Sequence, residues 1–354
     1  MPARDIWWNN ISGPRRFVDN LLDALMRDNS VILAKCDFPW VSALYDIVRQ
    51  RLEDDAHEML RLDIGDCDCE PGEYLISKLA PEHFADYLRR ENKNRYLDTL
   101  LPKTVLWLTN THDGDRWLKY ISDFHGTYGS VLFILSQKDT ERRPKRCEYL
   151  RYMDFISKYD VELFAAILLS DKDAPTEVKH YLSNVTAGIC LKDAEVLEAV
   201  IDCIDPAHID PMTALENALR RFPEYGANHL FALLSGDRKK LEKIIWESQL
   251  QTLFSLVELE LIRFIEKWKD NIQEALNCHA VSQFGTPRIT DPEDVEFGTL
   301  FYMMATQDPP GKFILYIPDE SARRRIRFMR VFRNNLAHSK MSDPLTIAEF
   351  FGNS

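Results

Sequence analysis

The sequence predicts an α/β N-terminal domain with a mainly parallel sheet, followed by an all-α helical region and a C-terminal bundle. Three observations carry that expectation. Short continuous apolar runs recur through the first half, separated by helix-length stretches, which is the pattern of strands covered on both faces. These runs stop near Pro175. Beyond it, apolar residues return at helical spacing, and prolines mark the boundaries. The expected parts are residues 1–172, a helical linker region over 173–237 and a bundle over 238–354.

Ser12-Gly13-Pro14 opens an amphipathic helix carrying Phe17, Leu21, Leu22 and Leu25. Residues 30–34 form a short apolar strand, 41–52 a helix, and 59–64 alternate as a strand. A helical stretch over 73–90 precedes apolar runs at 104–108 and 130–136, and the apolar run 161–169 is expected to close the sheet. Short helices are expected at 176–189, 193–203, 212–222 and 228–234, bounded by Pro206, Pro211 and Pro223. A long helical stripe covers 238–276. Unbroken it would span about 50–60 Å, so a kink or break is expected. Helices at 296–305, from Ser321 through His338, and at 344–351 complete the chain, with a turn at Asp308-Pro309-Pro310-Gly311.

A 45% apolar fraction and 28% charged residues in 354 allow a sizeable core. The net charge of −12 excludes a surface that grips nucleic acid everywhere and leaves room only for local basic sites. The seven cysteines are scattered at Cys36, Cys67, Cys69, Cys147, Cys190, Cys203 and Cys278. With an N-terminus, Met1-Pro-Ala-Arg-Asp-Ile-Trp-Trp, that lacks an apolar signal region, they point to free thiols in the cytoplasm. No run reaches the roughly 18 apolar residues of a membrane span, so no membrane partner is expected.

The strand–helix alternation over 12–170 resembles the core of P-loop ATPases of the AAA-like and STAND-like groups. In those families the first strand runs into a phosphate loop, and a later strand ends in acidic residues. Here the first strand is followed by Lys35-Cys36-Asp37-Phe38-Pro39-Trp40-Val41-Ser42, without glycine and without Gly-Lys-Ser/Thr. A phosphate cradle needs glycines to let backbone N–H groups converge and a lysine to reach the phosphates, and Pro39 removes one donor outright. The strand that would hold the metal-binding acid ends Leu108-Thr109-Asn110, with Asp113 and Asp115 further on. The resemblance therefore implies a degenerate domain kept for docking or regulation. Neither ATPase activity nor a cofactor is expected.

Asp66-Cys67-Asp68-Cys69-Glu70 has the residue types of a metal site at the wrong spacing, without a second pair, and His57 and His83 are the nearest imidazoles in sequence. It is expected to be an acidic loop, and no metal site is assigned. Glu141-Arg142-Arg143-Pro144-Lys145-Arg146 is either a solvated loop or a phosphate contact, and Trp7-Trp8 either a staple or a docking pair. Hydrolase, zinc-protease and deaminase signatures are missing from the sequence.

The chemical argument rests on Arg333-Asn334-Asn335-Leu336-Ala337-His338. Five residues apart on one helix, Arg333 and His338 lie roughly 140° apart around it, so a break or an end position is needed to bring them together. Histidine moves protons near neutral pH, and arginine stabilises an anionic phosphate. Such a pair could cleave RNA without metal, with the 2′-OH as nucleophile. Arg323, Arg324, Arg325, Arg327, Arg330 and Arg333 crowd the same segment of an acidic chain, and Arg323, Arg324, Arg327 and Arg330 are assigned as phosphate contacts.

The motif resembles that of the HEPN superfamily, over about residues 238–354. Membership implies a small helical bundle in which two copies meet across a homodimer to form a composite ribonuclease site. Carried over, Arg333 stabilises the phosphate, His338 acts in acid–base chemistry and Asn334 positions them. Two functions stay open: a metal-independent endoribonuclease effector of a bacterial defence or toxin system, acting on RNA, or a non-catalytic adaptor of such a system that binds a partner protein through its helices.

Overall fold

The computed structural model describes residues 1–34, 38–125, 130–137, 145–206, 209–222, 237–279, 281, 288–308 and 311–352. The chain divides into two units. The first comprises Met1–Phe164 with Lys192–Glu195, the second Ala165–Leu191 with Val196–Ser354.

The first unit is built on five strands: β1 Ser30–Ala34, β2 Glu58–Asp63, β3 Thr104–Thr109, β4 Leu132–Gln137 and β5 Cys147–Arg151. Their order across the sheet is β2-β3-β4-β1-β5, and every pairing is parallel. The central strands are apolar at nearly every position because both faces are covered: β1 and the first five residues of β3 are buried throughout. On one face Ile32, Leu106, Leu108, Phe133 and Leu135 pack with Leu75, Leu97, Trp117, Ile121 and Phe124. Those partners come from α4 Pro71–Leu79, α6 Lys93–Leu100 and α7 Gly114–His125.

The other side carries α1 Ala3–Asn10, α2 Ser12–Met26, α3 Val41–Asp54 and the short α8 Tyr152–Phe155. Trp7 and Trp8 are fully buried there. Trp7 Nε1 donates to Tyr152 Oη at 2.7 Å, and Trp8 packs against Phe17 and Tyr152, so the pair is a staple. Tyr45 of α3 meets Trp107 of β3 at 5.9 Å between ring centroids.

Two expectations need correction. The run 161–169 does not close the sheet; it lies in a helix, α9 Lys158–Leu169. Ser157 and Asp160 form the reciprocal cap that starts this helix. Asp160 accepts from Ser157 N at 2.8 Å, and Ser157 Oγ accepts from Asp160 N at 3.2 Å. The sheet is closed instead by β5, a half-exposed edge strand whose alternating composition carries a weak signal. The helical stretch over 73–90 is also interrupted after α4. A 3₁₀ turn, Pro81–His83, separates it from α5 Phe84–Arg89 because Pro81 cannot continue the ladder.

The described residues of the second unit are helical apart from a two-stranded hairpin, β6 Gln307–Asp308 with β7 Lys312–Phe313; Pro309 and Pro310 of the expected turn lie outside the described residues. Its helices include α10 Thr176–Cys190, α11 Ala194–Cys203, α12 Pro211–Arg221, α13 Arg238–Lys267 and α14 Lys269–Cys278. The long stripe breaks at Trp268, between α13 and α14. Helices α15 Phe297–Ala305, α16 Glu320–Ala337 and α17 Pro344–Gly352 complete it. Helix α10 packs closely on α13: a Cβ on Gly188 would lie 2.4 Å from Ser248 Oγ. The helix expected over 228–234 lies outside the described residues. Among the described residues no helix is long and apolar enough to cross a membrane.

Candidate functional site

Helix α16 starts on Asp319, whose carboxylate accepts from Ala322 N and Ser321 Oγ. These hydrogen bonds hold the carboxyl at about 2. Ile326, Met329, Phe332 and Leu336 form its buried stripe, at spacings of three and four residues. The helix does not break at Asn334-Asn335. It runs to Ala337 and ends in a Schellman motif: Ser339 is left-handed at φ 56°, and Lys340 N donates to Asn335 O at 3.0 Å. His338 is the capping residue, its own N–H bonded to Asn334 O and Asn335 O. Its side chain is exposed, as is that of Asn334.

The long helix α13 fixes this segment from beneath. Trp246 Nε1 donates to Leu336 O at 2.8 Å, which occupies a carbonyl of the last turn. Gln249, buried, donates to Ser342 O and accepts from Ser342 N, both at 2.9 Å, and also reaches Tyr181 Oη at 3.2 Å. Glu258 Oε1 lies 3.5 Å from Arg333 Nε, and the Arg333 guanidinium sits over Phe254 at 5.6 Å. The Nε atom is buried without a hydrogen-bond partner, so the contact with Glu258 is an ion pair only. Arg333 is thus half-buried and held in place, next to an exposed Asn334 and a helix end that presents His338 to solvent.

Sequence reasoning missed Trp246, Gln249 and Glu258. Gln249 was legible in one respect: it is a polar residue inside the apolar stripe between Ile245 and Leu253.

The six arginines have separate duties. Arg325 has a side chain 17% exposed, with a bidentate pair to Glu260 at 2.9 and 2.6 Å and a further bond to Phe350 O. Arg323 donates to Ile317 O and lies over Tyr316. Arg330 covers the Phe301 ring at 4.0 Å, and Arg324 lies 3.4 Å from Glu320. Arg327 is exposed. Of the four assigned phosphate contacts, Arg324 and Arg327 face solvent, whereas Arg323 and Arg330 are partly engaged within the bundle.

Elsewhere, Cys67 Sγ donates to Cys69 O at 3.4 Å and receives Arg116 Nη2 at 3.3 Å, and burial pushes its thiol up. Among the described residues no group of three or more His, Cys, Asp or Glu could hold a metal ion. The run at 141–146 is described only from Lys145; Arg146 Nη2 reaches Asp28 O at 3.4 Å. The loop after β1 is described only from Phe38. Past it, Trp40 is left-handed at φ 46° and its N–H donates to Glu195 at 2.5 Å.

No protein-family model and no characterised protein matches the chain. Among solved structures it is similar to a chain of the Drosophila ORC bound to DNA, with a TM-score of 0.29 and 14% identity. The match covers 93% of this chain and 63% of that one, and a likeness of this size carries over neither fold nor function.

Proposed function

We propose that the second unit is a HEPN-like effector that cleaves RNA without metal, and that the first unit is a degenerate P-loop-like domain that controls it. The observation that carries the reading is the termination of α16: His338 caps the helix in the open while Arg333 is held in place by Glu258 and Phe254. In this chemistry the histidine would take the 2′-OH proton or supply one to the leaving oxygen. The arginine would stabilise the charged phosphorane, and Asn334 would orient the phosphate. The all-parallel sheet with helices on both faces is compatible with the regulatory assignment of the first unit.

The test is incubation of the purified protein with total RNA and tRNA in the presence of a metal chelator, beside an Arg333→Ala/His338→Ala variant. Cleavage by the native chain with at least a hundredfold loss in the variant is expected, the usual scale of acid–base catalysis. Equal cleavage by both proteins, or none by either, would remove the catalytic role.

A second reading is a non-catalytic adaptor that binds a partner protein of a defence or toxin system through Leu259 and Ile262, the same residues that the ribonuclease reading gives to a second copy. They are 46% and 50% exposed and lie three residues apart on the outer face of α13. An inactive chain that still co-purifies with such a partner through this face would support it.

A further inference from the structure

The first unit carries a concentration of positive charge that no motif marks. Helix α5 ends at Arg89, and the chain turns through Arg90, Glu91 and Asn92 into α6. Arg89, Arg90 and Arg95 line one open groove of about 620 Å³ together with one acidic residue, Glu91, and with Asn92, Tyr96 and Thr99. Arg90 is held over the Tyr96 ring at 4.7 Å, and Tyr96 is fixed in turn by His83, whose Nδ1 lies 3.2 Å from its hydroxyl. Asn92 Oδ1 accepts from Arg95 N at 3.2 Å, so the capped N-terminus of α6, the positive end of its dipole, faces the same groove.

These guanidinium groups are largely unspent. The carboxylate nearest Arg89 is Asp86 at 3.9 Å, between side chains 81% and 58% exposed, a pair worth little in water. Neither Arg90 nor Arg95 has a carboxylate partner among the described residues, although the chain carries 56 acidic residues against 44 basic ones.

We propose that this groove binds the phosphodiester backbone of single-stranded RNA. The groove is open and lined by three arginines, which favours contacts along a backbone over capture of one enclosed anion. A guanidinium held over an aromatic ring also offers a platform for an unpaired base, which a duplex would not present. The site belongs to the first unit and does not depend on the reading of Arg333–His338.

The test measures binding of a fluorescein-labelled single-stranded 2′-O-methyl RNA to the full chain by anisotropy across a salt series. Lacking the 2′-OH nucleophile, this probe reports binding whether or not the protein is a nuclease. Arg90→Glu/Arg95→Glu should weaken binding about tenfold or more and flatten the log–log salt slope by about 1.4, two contacts at about 0.7 each. Arg90→Gln/Arg95→Gln, which removes charge without reversing it, should show the same flattening with a smaller loss. Unchanged affinity and slope in both variants would overturn the proposal. Displacement of the strand by inorganic phosphate at matched ionic strength would also overturn it, assigning the groove to a single anion.

Discussion

Asp160 shows how much one side chain can organise. It is 4% exposed and accepts from Ser157 N, Ser157 Oγ, Ser12 Oγ and Gly13 N, tying the start of α9 to the start of α2. Burial pushes its carboxyl up, but the hydrogen bonds from Ser157, Gly13 and Ser12 outweigh it and hold the group below the ordinary value. A folded value below the unfolded one of about 3.9 gives a contribution fully present above that pH and lost as pH falls through the folded value. Asp160→Asn is therefore expected to cost about 2 kcal/mol near neutrality. The gap to the native chain in urea unfolding should narrow as pH falls below the unfolded value and through the lower folded one, and a pH-independent gap would contradict the assignment. Gly13→Ala should be worse, since a Cβ there would stand 2.6 Å from Phe155 O. The signal for this cluster lies in the sequence as Ser157-Lys-Tyr-Asp160 ahead of an apolar run, a capping box. Hydropathy alone made the same run a strand.

Among the elements, α16 divides its arginines between structure and surface. Arg325 and Glu260 have side chains 17% and 21% exposed, so Glu260→Ala strands a largely buried guanidinium and should cost about 2 kcal/mol. Arg327→Ala, on the exposed face, should stay within about 0.5 kcal/mol of the native chain. Chemical denaturation of the two variants checks both; equal effects would contradict the division. From sequence, six arginines in one helix form a single basic tract, because spacing fixes which residues share a face but not what faces them. Glu260 and Phe301 are remote in the chain, and only packing brings them to Arg325 and Arg330.

For the molecule as a whole, the ribonuclease reading requires a second copy. Leu259 and Ile262 form an apolar patch on the outer face of α13, next to the edge where Glu258 holds Arg333. A homodimer is expected in light scattering, with Ile262→Glu shifting it to monomer and abolishing metal-independent cleavage. A native chain that stays monomeric at every concentration while cleaving RNA would sink the composite site. The two nucleic-acid proposals then separate: cleavage follows Arg333 and His338, whereas salt-dependent strand binding follows Arg90 and Arg95.

The amino-acid sequence carries the class of each half, because burial on both faces forces strands such as 31–34 to be continuously apolar, and a one-sided helix forces the 3.6-residue stripe. It also holds the residue types at 333–338 and lacks a Gly-Lys-Ser/Thr run after β1, and both proposals start from those short segments. Packing, by contrast, selects which apolar run joins the sheet, which arginines are spent internally, and that Trp246, Gln249 and Glu258 position the end of α16. Contacts such as Trp246–Leu336, Gln249–Ser342 and Glu260–Arg325 join residues 90, 93 and 65 positions apart, where local propensity is silent and packing chooses the partner.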